Sequence, residues 1–341
     1  MTDLKSPYYR SGHRTKSLYL NAQSIGLSTD YRIQIQGKIG LIHSIFQRVI
    51  NITVLENRLI SLVGQEVGQG PLNILVNIPN HINLSTIGIK KGDIVSRVGE
   101  SIVIGENVIV ISTRWAKLWE PKRNLQASLQ PLKTIMANIE IMRNLALSSD
   151  YLNGLGELIP FTYIEGLKDT KNEKLGPISH LALPHISSML KAIKSGRSQD
   201  IIHITTHLVG LGPGLTPAAD DMFLGLMISM LYFSENFNET SIDVKKINKD
   251  IVSIISGKTT IISEVFLREA SVGKVNEAVA SLMENLLTSR QRELEDSVRK
   301  VLDLGGTSGT DIVFGVILGS YLMMIDIYDS SNKNEDVTVS F

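Results

Sequence analysis

The sequence predicts an α+β chain: a β-rich front part, built as a small barrel or a sandwich, followed by a mostly α-helical back part. Three observations lead there. Between Tyr31 and Ser112, short runs of Ile and Val are cut by turn residues at the spacing of short strands. After Pro121 the apolar residues recur at helical period. The length, 341 residues, makes two domains the default.

Taken in order, residues 1–24 read as a flexible tail and 25–120 as the β-rich domain. Its strand signals include Leu72–Ile78 before Pro79-Asn80, then Ile94–Val98, Ser101–Ile104 and Val108–Ile111. Lys90–Asp93, Gly99-Glu100 and Gly105–Asn107 are the intervening turn signals. Trp115, Trp119 and Pro121 read as a hinge or as interdomain packing. Residues 121–328 form the helical domain. Helices are expected over Leu125–Leu147, with Pro131 near the start or at a break, and over Ile178–Ile193, Ile201–Val209 and Met222–Phe233. Further ones are expected over Val244–Ile255, Val275–Leu287, Arg290–Leu302 and Ile312–Ile327. Residues 329–341 read as a polar, disordered tail.

Composition narrows the function. Thirty-four Lys and Arg balance 34 Asp and Glu, which argues against nucleic acid or an anionic membrane as partner. The absence of cysteine excludes disulfides, thiolate catalysis and cysteine zinc sites. The N-terminal Met1–Ser17 is polar and basic without an apolar core, unlike a signal peptide. The longest apolar run, Ile312–Ile325, is shorter than the ~18 residues of a membrane span and reads as a helix buried in protein. The expected location is cytoplasmic.

Two motifs carry the chemistry. The first, Val209-Gly-Leu-Gly-Pro-Gly-Leu-Thr-Pro-Ala-Ala-Asp-Asp221, precedes an apolar helix. Thr216 and Pro217 read as N-cap and first helical residue. Gly212 and Gly214 let backbone approach a ligand, and a helix N-terminus favours anions. Asp220 and Asp221 add two carboxylates there. The second motif, Gly305-Gly-Thr-Ser-Gly-Thr-Asp311, has the same design and also precedes an apolar helix. Both share Asp-x-x-x-Gly, as Asp221 to Gly225 and Asp311 to Gly315, so a small residue one turn after the acid admits a neighbouring helix. If those helices pack together, their N-termini face one cleft.

Between the motifs, Lys258, Thr259, Thr260 and Ser263 offer a cation and hydroxyls, or simply cap a helix. His203 and His207, four apart, share a helix face, but no third ligand is evident, so no metal site is assigned. The glycines do not follow the G-x-G-x-x-G spacing of a dinucleotide fold, and Val252 occupies the position of the first glycine of a P-loop ending at Gly257-Lys-Thr259. No cofactor is evident; a divalent metal is left open.

The first motif resembles the signature of a bacterial domain-of-unknown-function family that includes the third subunit of oxamate carbamoyltransferase, from anaerobic allantoin degradation. The family's later block, roughly Gly-His-Thr-Ser-Gly-Trp-Asp, corresponds to Gly305–Asp311. Its middle block, Arg-Thr-Thr-x-x-Ser, corresponds to Lys258–Ser263. This sequence departs at Ala218-Ala219 (Ser-Gly), Lys258 (Arg), Gly306 (His) and Thr310 (Trp). The resemblance implies carbamoyl transfer between oxalurate or oxamate and phosphate or carbamoyl phosphate. It also implies a hetero-complex with an acyl-CoA-synthetase-like subunit and a second, poorly characterised one. On that reading Asp220, Asp221 and Asp311 are the catalytic candidates. Gly212, Gly214, Thr216, Lys258, Thr259, Thr260, Ser263, Thr307, Ser308 and Gly309 bind the small anionic substrate. The alternative is a non-catalytic, anion-binding or regulatory subunit.

Overall fold

The structure is a computed structural model that describes residues 17–54, 58–149, 152–168, 174–289 and 291–335. The chain is α+β, and its described residues fall in two compact units, one within 17–67 and 72–118, the other within 68–71 and 119–335.

The first unit is an eight-stranded barrel. Its strands are β1 (Leu18–Gly26), β2 (Gly37–Ile45), β3 (Val49–Val54), β4 (Arg58–Gly64), β5 (Asn73–Val76), β6 (Ile94–Val98), β7 (Ser101–Ile104) and β8 (Ile109–Ser112). They run in the order β5-β4-β3-β2-β6-β7-β8-β1, and β1 pairs back onto β5 to close the ring. The β1–β8 and β4–β5 pairs are parallel, and the other pairs in the ring are antiparallel. Closure removes the free edges that an open sheet would leave. A short strand, β9 (Lys117–Trp119), adds to the outside of β1, and a helical turn, α1 (Leu27–Arg32), follows β1. Ile and Val fill the interior, among them Ile50, Ile52, Ile60, Val95, Ile102 and Ile111. Their branched side chains suit a pleated, buried surface.

Leu18–Gly26 is a strand, so the expected tail ends earlier; residues 1–16 lie outside the described ones. Leu20, Ala22 and Ser24 are buried while Asn21 and Gln23 are exposed, a period of two carried by residues of modest strand preference. Trp115 is 82% exposed, with the Arg114 guanidinium over its ring. It sits in the turn ahead of β9.

The second unit is helical: α2 (Leu132–Leu147), α3 (Pro177–Lys194), α4 (Ser198–Leu208), α5 (Ala218–Asn236), α6 (Val244–Val252), α7 (Ile261–Ala270), α8 (Glu277–Thr288), α9 (Gln291–Leu302) and α10 (Ser308–Glu335). A 3-10 segment, Gly154–Phe161, and a two-stranded hairpin, β10 (Thr162–Tyr163) with β11 (Gly166–Leu167), lie between α2 and α3. Pro131 stands at the N-cap of α2, which therefore starts seven residues later than the pattern suggested. The expected C-terminal tail is helical as far as Glu335, because no Gly or Pro interrupts the chain after Asp326; residues 336–341 lie outside the described ones.

The centre of this unit is the pair α5 and α10. Seventeen of the 19 residues of α5 are buried, which explains its apolar character on every face. The stretch Ser308–Ser331 of α10 is long and apolar enough to cross a membrane, yet 89% of its most apolar window is buried inside the fold.

Candidate functional site

The two glycine motifs meet. The Thr216 and Ser308 hydroxyl oxygens lie 3.1 Å apart, joining the turn before α5 to the first residue of α10. Their helices can approach because each has a glycine at the crossing. A Cβ on Gly225 would lie 2.8 Å from the Val316 nitrogen and collide with the Ile312 carbonyl. A Cβ on Gly315 would lie 2.8 Å from the Leu226 nitrogen and collide with the Met222 carbonyl. One turn ahead of these glycines, the two helix N-termini carry Asp221 and Asp311 into the same region.

The first turn is held open by positive φ at Gly210 (78°), Gly212 (122°) and Gly214 (99°), which residues with a side chain rarely adopt. Among the described residues, the backbone N–H groups of Gly212, Gly214, Leu215 and Thr216 make no hydrogen bond, nor do those of Gly306 and Thr307 on the second turn. Not every N–H group at the two helix starts is available. The Ala219 N–H donates to the Leu211 carbonyl (3.1 Å), and the Gly309 N–H to the Leu304 carbonyl (3.0 Å). Gly309 instead admits α9: a Cβ there would collide with the Val301 carbonyl.

The three aspartates divide by their partners. Asp220 Oδ1 accepts from the Gly210 N–H (2.8 Å). Its Oδ2 accepts from the Ser263 hydroxyl (2.7 Å) and from the Thr259 hydroxyl. Asp220 thus ties the first turn to the start of α7. Asp311 Oδ1 accepts from the N–H groups of Leu155 (2.7 Å) and Gly156 (3.3 Å). Asp221 Oδ2 and Asp311 Oδ2 have no hydrogen-bond partner, although Asp221 is 4% exposed and Asp311 fully buried.

Burial accordingly raises the pKa of all three. Asp221 is pushed up to about 8: burial is the main cause, the neighbouring Ser308 and Thr216 hydroxyls oppose it, and Asp311 and Asp220 add repulsion. Burial pushes Asp311 up to about 7 against the Leu155 N–H, the Thr307 hydroxyl and the Gly156 N–H.

The middle block supports the turn rather than opening onto it. Thr260 caps α7, its oxygen accepting from the Ser263 N–H (3.0 Å), while its hydroxyl donates to the Leu215 carbonyl. Lys258 is exposed, and it is the Lys258 carbonyl, not its ammonium, that lies against Gly210. Thr216 makes no cap: Pro217 stands at the N-cap of α5, and the Thr216 side chain turns to Ser308.

The helical unit that contains this site matches a family model described as oxamate carbamoyltransferase subunit AllH over residues 208–320. A second, described as the AllH family N-terminal domain, matches residues 21–118. The chain belongs to the AllH family. No solved structure matches it.

The AllH match takes in both glycine turns, all three aspartates and the Lys258–Ser263 block. It leaves out a segment that sequence reasoning also missed, Gly154–Phe161. This segment supplies the two N–H groups on Asp311, and Gly156 makes room for Thr310, whose Cβ would lie 3.0 Å from one added there. The signal was Asn153-Gly154 followed by Gly156, a turn pattern with glycines in closely spaced positions. The contact bears on one departure noted above: a Trp at position 310 would need the space that Gly156 and Thr310 now fill. At position 306, by contrast, an added Cβ would meet nothing within 4 Å.

Away from this site, His185 on α3 stacks on His207 of α4 with centroids 5.0 Å apart, and His203 meets His207 edge-on at 4.9 Å. Burial, with His207 and His203 nearby, lowers the His185 pKa. Among the described residues no group of three or more His, Asp or Glu is arranged to hold a metal ion.

Proposed function

We propose that this chain is a catalytic, substrate-binding subunit of an oxamate carbamoyltransferase. Its ligands are oxamate or oxalurate and phosphate or carbamoyl phosphate, bound where the two glycine turns meet. It works in a hetero-complex with an acyl-CoA-synthetase-like subunit and a second subunit. The observation that carries this reading is the junction of the two motifs through Thr216 and Ser308, with unpaired N–H groups on both turns. Small anions suit such N–H groups at helix starts without any need for a basic surface.

The chemistry fits the residues. In the degradative direction a phosphate oxygen bonds to the carbamoyl carbon of oxalurate, and the bond from that carbon to the oxamate nitrogen breaks. The proton lost by phosphate equals the one gained by the departing nitrogen. A carboxyl that gives one and takes the other balances the step. Asp221, whose pKa is raised to about 8, is suited to that exchange at neutral pH. Free N–H groups of the turns stabilise the negative charge that develops on the carbonyl oxygen, each worth roughly 3 kcal/mol in a preorganised site.

The second reading, a non-catalytic anion-binding or regulatory subunit, is favoured by the internal use of Asp220, Thr259, Thr260 and Ser263. Turnover of the assembled complex separates the two. Asp221→Asn lowers it at least ~100-fold under the catalytic reading, comparable to the loss of one positioned polar group. Near-normal turnover would leave binding as the subunit's only part. A thermal-shift titration of the whole chain with phosphate, carbamoyl phosphate, oxamate and oxalurate tests the site itself. A ligand at ~100 times its Kd stabilises the fold by about 2.7 kcal/mol. A flat response to all four, in the chain alone and in the complex, removes the proposed site.

A further inference from the structure

The buried acids of the two turns set a chemical requirement of their own. Asp221 Oδ2 and Asp311 Oδ2 are shielded from solvent and bonded to nothing, which is costly unless a ligand or a proton satisfies them. No lysine or arginine is hydrogen-bonded or ion-paired to either carboxyl among the described residues. Where either carboxyl is ionised, an anionic group placed against it would meet an acceptor and like charge. An uncharged N–H donor would meet acceptors in want of one.

We propose, building on the site just described, that Asp221 and Asp311 read the carboxamide end of the ligand, while the glycine turns hold its anionic end. The pair then acts as a selectivity device: it admits a carboxylate that carries an adjacent –CO–NH2 and rejects a dicarboxylate of the same size. A neutral carboxamide supplies both an N–H donor for an ionised carboxyl and a carbonyl acceptor for a protonated one. It can therefore satisfy the pair when one carboxyl is protonated and the other ionised. Thr216 and Ser308 stand next to Asp221, at the point where the motifs touch.

Oxamate and oxalate decide the matter, since they differ by one amide in place of one carboxylate. Calorimetric titration of the whole chain, or of the assembled complex, would compare both ligands with phosphate and carbamoyl phosphate. The expected result is binding of oxamate at least tenfold tighter than oxalate, on the order expected when a buried acceptor pair is left unpaired. In the Asp221→Asn/Asp311→Asn double variant that preference falls to within about threefold, while phosphate binding persists. Equal binding of oxamate and oxalate by the unmodified chain, with phosphate still bound, overturns the assignment of the acids but leaves the glycine-turn site standing. Binding that appears only with added Mg2+ and vanishes with a chelator also overturns it, since the acids would then hold a cation. Binding of none of the four ligands overturns both this assignment and the site on which it rests.

Discussion

Gly225 and Gly315 sit in reciprocal positions across the crossing of α5 and α10, each against the backbone of the other's helix. The contact sets how far apart the two helix N-termini lie, and so how Asp221 and Asp311 are placed. Gly225→Ala and Gly315→Ala each put a methyl group into main chain that cannot turn aside. Each is expected to destabilise the fold by about 1–3 kcal/mol, the usual cost of overpacking a well-filled core. Urea unfolding measures it. Ligand response should fall together with stability, because the crossing and the site are one construction. An unchanged midpoint in either variant would show that the helices have room to spare.

Asp220 and Asp221 are chain neighbours with opposite roles, and stability separates them. Both oxygens of Asp220 are occupied, by the Gly210 N–H and by the Thr259 and Ser263 hydroxyls. Asp220→Ala strands those donors and is expected to cost about 2–4 kcal/mol, with the first turn loosened from α7. Hydrogen exchange at Gly210 should rise in the same variant. Slow exchange there, as in the unmodified chain, would mean that the turn holds its shape without the carboxyl.

Much of this arrangement was legible from residue pattern. Short Ile and Val runs marked the barrel, and the shared Asp-x-x-x-Gly marked two helices able to pack closely. What pattern could not supply was the allocation of hydrogen bonds. Thr216-Pro217 has the form of a helix cap, yet the hydroxyl goes to Ser308, 92 residues on, a partner that local spacing cannot reveal. The Lys258 carbonyl lies against Gly210, a backbone contact that the charge of its side chain does not announce. β1 went unread because Asn21, Gln23 and Ser24 dilute its apolar face, and its burial comes from pairing with β5 and β8, distant in sequence.

Thr260 links the middle block to the first turn in two ways. It caps α7, and it donates to the Leu215 carbonyl in the exposed part of the turn. Thr260→Ala removes both and is expected to cost about 1–2 kcal/mol in thermal unfolding. Thr260→Ser keeps both groups and should restore most of the loss. If the serine variant is as unstable as the alanine one, the methyl group of Thr260 matters more than its hydroxyl.

Asp221 and Asp311 make the opposite prediction for stability. In the folded chain Asp221 holds its proton up to about pH 8 and Asp311 up to about pH 7, whereas an ordinary aspartate releases it near 3.8. Below that ordinary value both states are protonated, and the full stability is present. As pH rises toward 7 and 8 the folded chain binds more protons than the unfolded one, so stability falls across that window and levels off above it. The slope is about 1.4 kcal/mol per pH unit for each proton held. Asn cannot ionise, so Asp221→Asn should lose its share of the slope and be more stable than the unmodified chain at pH 8, with little difference at pH 4. Urea unfolding at pH 5, 6.5 and 8 would show the two curves diverging as pH rises. The same substitution is expected to weaken oxamate binding, so a more stable chain would be a poorer binder. That opposition is characteristic of a group kept at a cost for its contact with a ligand. If the two curves instead ran parallel from pH 5 to pH 8, Asp221 would be a carboxylate already ionised across that range, and its place in the site would fall.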